Sequence, residues 1–143
     1  KQEKIHIEKI VVGGHGLGYL NGRVLLVPYS APGDELLVEV ARARKGVAWG
    51  GIRQILNSSA SRTEPFCAHY SRCGGCQLQH VSYPSQVDCK RLIVEDALRR
   101  LGGLKDVEVN SCIASPQDRG YRRKVRLHCS GREIGFHRTG SNI

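Results

Sequence analysis

The sequence of 143 residues contains no methionine, one tryptophan, two phenylalanines and five prolines, and aromatic residues make up 6% of it. So few large rings leave a modest core. A chain of this length fits one ordinary domain or two small ones, and small domains often need a metal as a staple. No uninterrupted apolar run reaches the roughly 18 residues of a spanning helix. The opening KQEKIHIEKI alternates polar and apolar residues, where a signal peptide would be continuously apolar. No membrane partner is indicated, and a cytoplasmic protein is the expectation. Acidic residues are scarce too: 13 Asp and Glu stand against 22 Lys and Arg, a formal charge of +9. That imbalance points to a polyanion. Repeats and low-complexity tracts are absent. With no methionine, a start at Lys1 and an end that falls before another strand is complete, the sequence reads as an excerpt.

What is present divides in two. Residues 1–58 carry short alternating segments broken by turn pairs: Asn21-Gly22, Pro32-Gly33-Asp34 and Lys45-Gly46. Asn-Gly is a strong hairpin signal because both turn positions need positive φ. Strands at this spacing predict a small all-β barrel. The polar stretch NSSASRTEP (57–65) marks a boundary, and residues 59–143 read as an α+β unit, incomplete at its C-terminus. Its helix spans SYPSQVDCKRLIVEDALRRLGG, capped by Ser82 and ended by Gly102-Gly103, with Val87, Val94, Leu98 and Leu101 on one face. KDVEVNSCIA and YRRKVRLHCSGREIGFHR read as strands.

Several motifs invite a function. GGHGLG (13–18) precedes a strand instead of opening a helix and lacks the terminal Gly-Lys of a phosphate loop, so a bend in a barrel strand is expected there. Two basic groups fit RNA. Arg42, Arg44 and Lys45 lie near a turn beside Trp49, combining cations for phosphates with a ring for stacking. Arg119, Tyr121, Arg122, Arg123, Lys124 and Arg126 crowd a short run. As a strand this would put Arg122, Lys124 and Arg126 on one face as a cationic ladder. Arg123 would lie on the opposite, apolar face with Val125 and Leu127, placed to pair with a buried acid or line a pocket.

The sharpest motif is FCAHYSRCGGCQLQH (66–80), with Cys67, Cys73 and Cys76 at C-x5-C-x2-C. Without an export signal, clustered cysteines suit metal better than disulfides. The spacing favours an iron–sulfur cluster, because zinc usually takes two paired knuckles and only one C-x2-C exists; zinc stays open as the alternative. A fourth ligand is not evident. Cys89 lies on the helix, Cys112 on a short strand, and Cys129 continues an apolar phase and is expected in a core. His69 and His80 flank the motif, where hydrogen-bonded or exposed histidines are the commoner outcome. No Cys/His/acid set with a nucleophile's arrangement is recognisable.

In this order the features resemble a family. IEKIVVGGHGLGYLNGRVLLVPYSAPGDELLVEVARARKGVAWGGIRQIL is similar to a TRAM domain, an OB-like RNA-binding barrel. Placed before SRTEPFCAHYSRCGGCQLQHVSYPSQVDCK, it resembles the N-terminal half of bacterial RNA (uracil-5-)-methyltransferases that carry a [4Fe-4S] cluster. YRRKVRLH and GREIGFHR resemble the same family's central domain. The resemblance implies Cys67, Cys73 and Cys76 as cluster ligands, with the fourth in a Cys-Pro segment beyond residue 143. It also implies S-adenosylmethionine and the catalytic residues in a C-terminal domain outside this sequence, so that the fragment alone is inactive. RNA, chiefly 23S rRNA, is the implied partner, since members bearing both barrel and cluster mostly modify ribosomal RNA while the tRNA-specific branch lacks both. A monomer is expected. The reading from another class is a stand-alone RNA-binding module with structural zinc. A radical methylthiotransferase is disfavoured, because its C-x3-C-x2-C spacing and C-terminal barrel do not match.

Overall fold

The computed structural model describes residues 1–141. Its first part is one curled six-stranded sheet: β1 (Gln2–His6), β2 (Lys9–Ile10), β3 (His15–Leu20), β4 (Arg23–Pro28), β5 (Glu35–Arg44) and β6 (Val47–Asn57), in the order β1-β5-β6-β4-β3-β2. All neighbours are antiparallel except β4 and β6. The turn chemistry sets this registry. Asn21 (φ 51°) and Gly22 (φ 76°) join β3 to β4, and Lys45 (φ 49°) and Gly46 (φ 82°) join β5 to β6. Three register shifts between the long strands β5 and β6 bend the sheet so that it curls on itself.

The glycine-rich stretch makes that curl possible. Gly13 (φ 93°) and Gly14 (φ 78°) turn β2 into β3, as the expectation of a bend required. Gly18 lies where a side chain would run into the His6 carbonyl and Ile5, and Gly16 where it would meet Ser30 and Ile7. Both therefore let β3 approach the β1–β2 edge at backbone distance. Inside sit Ile5, Ile7, Leu25, Val27, Leu36, Val38 and Ala48, with Leu20, Val40 and Ile52 against them. Trp49 stays at the margin, half-buried.

The second part is less regular. Helix α1 (Tyr83–Arg100) forms as expected, with Pro84 in its first turn. Ser82 precedes it, but its hydroxyl bonds the Ser85 hydroxyl at 2.9 Å and not a backbone N–H. The buried face differs from the expected stripe: Cys89 is the buried position, while Val94 and Leu101 are exposed. The reason lies in what the helix leans on. Asp96 bonds Lys9 of β2 at 2.7 Å, so the face bearing Cys89 and Asp96 turns to the sheet. After α1, the expected strand at 105–114 does not form, and residues 121–127 are irregular instead of a ladder strand. Only β7 (His128–Ser130) and β8 (Glu133–Gly135) pair, as a hairpin. Extended backbone needs a partner edge, and among the described residues nothing longer faces this segment. Cys129 is accordingly exposed and not in a core. The further strand expected near 140–143 reaches beyond the described residues.

The polar stretch after β6 is tied down. The Asp34 carboxylate is fully buried and accepts from the Ala31 N–H (2.7 Å), the Ser59 N–H (3.0 Å) and the Arg62 guanidinium (Nη2 at 2.8 Å). Arg62 also donates to the Tyr29 carbonyl at 2.9 Å, and Ser59 and Ser61 donate to that of Pro32. Removing one partner of such a pair strands a buried charge. Asp34→Ala is expected to lower stability by about 3–5 kcal/mol. Breaking the exposed Arg53–Glu39 pair with Arg53→Ala should cost under about 1 kcal/mol. Urea unfolding of both variants checks the contrast.

Candidate cysteine site and cationic cleft

The loop carrying the cysteines is held from several sides. Its first turn closes through the Tyr70 N–H on the Cys67 carbonyl (3.0 Å) and the Cys73 N–H on the His69 carbonyl (2.9 Å). Gln79 anchors it by accepting from the Cys67 N–H at 3.2 Å. The Gly74-Gly75 pair then allows close approach. The Gly74 N–H donates to the His137 carbonyl at 2.9 Å, and the Gly75 N–H to the Cys73 sulfur at 3.4 Å. A side chain at Gly74 would press on that same His137 carbonyl. Cys73 also bridges to Arg138, and Thr139 donates to the Cys73 carbonyl at 3.1 Å, so the segment just after β8 closes the loop from behind.

His80, which flanks the motif, is buried and hydrogen-bonded. Its Nε2 lies 3.0 Å from the Ser30 carbonyl, which can only accept, so Nε2 carries the proton. Its Nδ1 lies 2.6 Å from the Tyr70 hydroxyl, whose single hydrogen is shared between Nδ1 and the Gln77 carbonyl, to which it donates at 2.8 Å. Burial pushes the Tyr70 phenol up to about 12, so it keeps its hydrogen to donate. Burial likewise holds His80 below its ordinary value, outweighing the hydrogen bond to Ser30, and the Arg62 cation pushes the same way. A neutral His80 thus ties the loop to the barrel. Tyr29 does the same from the barrel side, donating to Thr139 at 2.9 Å.

The three motif cysteines line one cavity of about 1150 Å³, bounded by the loop, the start of α1 and residues 118–125. Cys67 and Cys73 are half-buried and Cys76 is exposed. Among the described residues, no three Cys, His, Asp or Glu side chains converge as a metal's ligands would. The thiols thus share a space without forming a closed ligand set. Cys89 is buried on α1, and burial raises its thiol, which suits a small apolar core residue. Cys112 is half-buried and lies outside the cavity wall.

The basic residues separate into three environments. Arg42 lies over the Trp49 ring at 4.8 Å, while Arg44 and Lys45 border a second cavity of about 590 Å³ at the β5–β6 turn. Arg23, not singled out from the sequence, borders it too. Arg119, Tyr121 and Arg122 line the cysteine cavity. Arg123, Lys124 and Arg126 are exposed on irregular backbone. Arg123 pairs with no acid among the described residues and lies off the cavity wall, contrary to expectation, because without a strand it has no opposite face to occupy. Residues missed in the sequence include Phe66, Tyr83 and Lys90 on the cavity wall. Phe66 abuts the first cysteine, but a single ring beside a motif gives no periodic signal.

No family model matches the chain. It is 36% identical over 142 residues to an uncharacterized RNA methyltransferase of Thermotoga maritima, covering 99% of this chain and 32% of that protein. It is 34% identical over 127 residues to the 23S rRNA (uracil(1939)-C(5))-methyltransferase of Vibrio cholerae, covering 89% of this chain and 28% of that protein. Among solved structures, the Pyrococcus abyssi tRNA (uracil-54, C5)-methyltransferase in complex with S-adenosyl-L-homocysteine matches 92% of this chain and 28% of that chain, with 34% identity and a TM-score of 0.54. The chain is therefore related along most of its length to RNA methyltransferases, and spans less than a third of each. A tRNA methyltransferase among them shows that likeness to this region is not confined to proteins named for ribosomal RNA.

The histidine tie has a pH signature. Because His80 is depressed in the fold, the unfolded chain takes up its proton first as the pH falls below about 6.5. Its contribution is full above that value and declines toward the lower folded one. Asp96, held below the ordinary carboxylate range by its hydrogen bond to Lys9, acts in a more acidic window. The melting temperature is expected to fall between pH 7 and 5, with a shallower slope in His80→Gln; thermal scans across that range check it.

Proposed function

We propose that the chain is the RNA-binding, cysteine-bearing part of an S-adenosylmethionine-dependent RNA uridine C5-methyltransferase, with 23S rRNA the favoured substrate. The observation that carries this reading is its relation, over about nine-tenths of its length, to proteins named for that reaction. The charge of +9 and the cations around both cavities support contact with a phosphate backbone. We assign that contact to Arg42, Arg44 and Lys45 on the barrel and to Arg119, Tyr121, Arg122, Arg123, Lys124 and Arg126 beyond it. The division into a TRAM-type barrel at 1–58 and a second unit at 59–143 belongs to the same reading, as does the placing of catalysis outside this chain.

Cys67, Cys73 and Cys76 are the ligands we propose for a [4Fe-4S] cluster. The donor chemistry fits in kind: three thiols share one cavity, and the Gly75 N–H already donates to one sulfur. Their placement is open, so binding would have to draw the loop together, and metal binding would be coupled to its order. Such a centre would serve as a staple for a loop otherwise held by hydrogen bonds.

Two measurements test this. Anaerobic reconstitution with ferrous iron and sulfide of a chain extended past residue 143 through the next cysteine should give a brown protein containing both elements, with much less in Cys73→Ser and in the 143-residue chain. Zinc bound without sulfide would instead favour a structural zinc module. Binding of single-stranded RNA should weaken linearly on a logarithmic salt scale, and replacing Arg122, Lys124 and Arg126 together by alanine should reduce the slope by about 2. An unchanged slope would return those residues to a merely solvated surface.

A further inference from the structure

Resting on that RNA-binding reading, we propose that the cavity beside the cysteine loop is a seat for unpaired nucleotides, stacking bases on Phe66 and Tyr83 and holding phosphates with Lys90, Arg119 and Arg122. Two of its rings already attract cations. The Arg119 guanidinium lies 4.4 Å from the centre of Phe66, and the Lys90 ammonium 5.9 Å from that of Tyr83. A ring face open to a cation is open to a base, and a guanidinium plane can itself cover the base's other side. Phe66 is 57% exposed and Tyr121 56%, although both border a concave wall where burial was available. Exposed rings in such a place mark a surface that awaits an occupant.

Charge and size narrow the occupant. Five cationic side chains border the cavity against two acids, so an anion is favoured. The wall also runs from the cysteine loop over the start of α1 to residues 118–125, so it offers rings and cations away from the thiols, which suits linked nucleotides better than one small ligand. Unpaired bases are required because a duplex buries their faces in its own stack. An acidic peptide would satisfy the cations but leave the rings unused.

The test uses the whole chain with fluorescein-labelled decauridine, and a perfect RNA duplex and oligoglutamate as competitors. Phe66→Ala and Tyr83→Ala are each expected to weaken decauridine binding by at least about fivefold, with Phe66→Tyr close to the parent. Decauridine should slow alkylation of Cys76, and neither competitor should match unlabelled decauridine. Melting curves of the variants separate lost contact from lost fold. Binding that is unchanged in correctly folded Phe66→Ala and Tyr83→Ala, with no protection of Cys76, would overturn the seat while leaving RNA binding elsewhere on the chain. Displacement by oligoglutamate as readily as by decauridine would overturn it as a charge-only surface. No binding by the parent at low salt would overturn both the seat and the reading beneath it.

Discussion

The structure turns on one buried carboxylate. Asp34 sits at the start of β5 with no exposed surface, and its oxygens are filled by two backbone N–H groups and the Arg62 guanidinium. A carboxylate removed from water is tolerated only when paired and hydrogen-bonded. That requirement fixes the chain on both sides. Ala31 closes the turn into β5, and Ser59 and Arg62 bring the segment after β6 back onto the barrel. From Arg62 the chain pairs with Val81, just before α1, so the cysteine loop is a long excursion closed at its base. The loop then depends on His80 and Tyr70 for its second hold, and on His137, Arg138 and Thr139, just after β8, for its third.

This arrangement explains why the two parts do not behave as beads on a string. The contacts between them are polar and directional: Arg62 with Asp34, His80 with Ser30, Lys9 with Asp96, Tyr29 with Thr139. Only the first two are well shielded from water. A surface ion pair such as Lys9–Asp96 adds little stability, so orientation rests mainly on the buried pair and the histidine. Gly14 adds a steric condition, since a side chain there would strike Gln77 of the cysteine loop. The glycine-rich stretch thus serves both parts, turning a barrel hairpin and leaving room for the loop.

The sequence made the barrel legible because its signals are local. Asn21-Gly22 and Lys45-Gly46 demand positive φ, alternation fixes which side chains face inward, and both effects act over a few residues. The helix was legible for the same reason, but its buried face was not. Val94 and Leu101 look like core positions in a periodic reading, yet the side turned to the sheet is the one bearing Cys89 and Asp96, whose partner Lys9 lies 87 positions away. The cationic run failed in the opposite direction. Residues 121–127 alternate as a strand should, but alternation does not supply a hydrogen-bonding edge. The buried Asp34–Arg62 pair was invisible in advance, because Asp34 reads only as a turn residue, Arg62 belongs to no motif, and their meeting follows from the curl of the sheet.

The cysteine site lies between these cases. Its three ligand candidates were plain from spacing, and the fold brings them to one wall, yet their convergence is left open. That is the physical expectation for a candidate metal site on a loop: side chains held only by turns have little reason to gather before a metal binds. The surroundings are better defined than the site itself. Gly75 aims an N–H at sulfur, His80 and Gln79 fix the loop's ends, and rings and cations border the same space. A centre bound there would tighten the wall on which Phe66 and Arg119 lie. Metal loading and the shape of the cleft would thereby be linked through a single loop, with none of the aromatic residues among the proposed ligands.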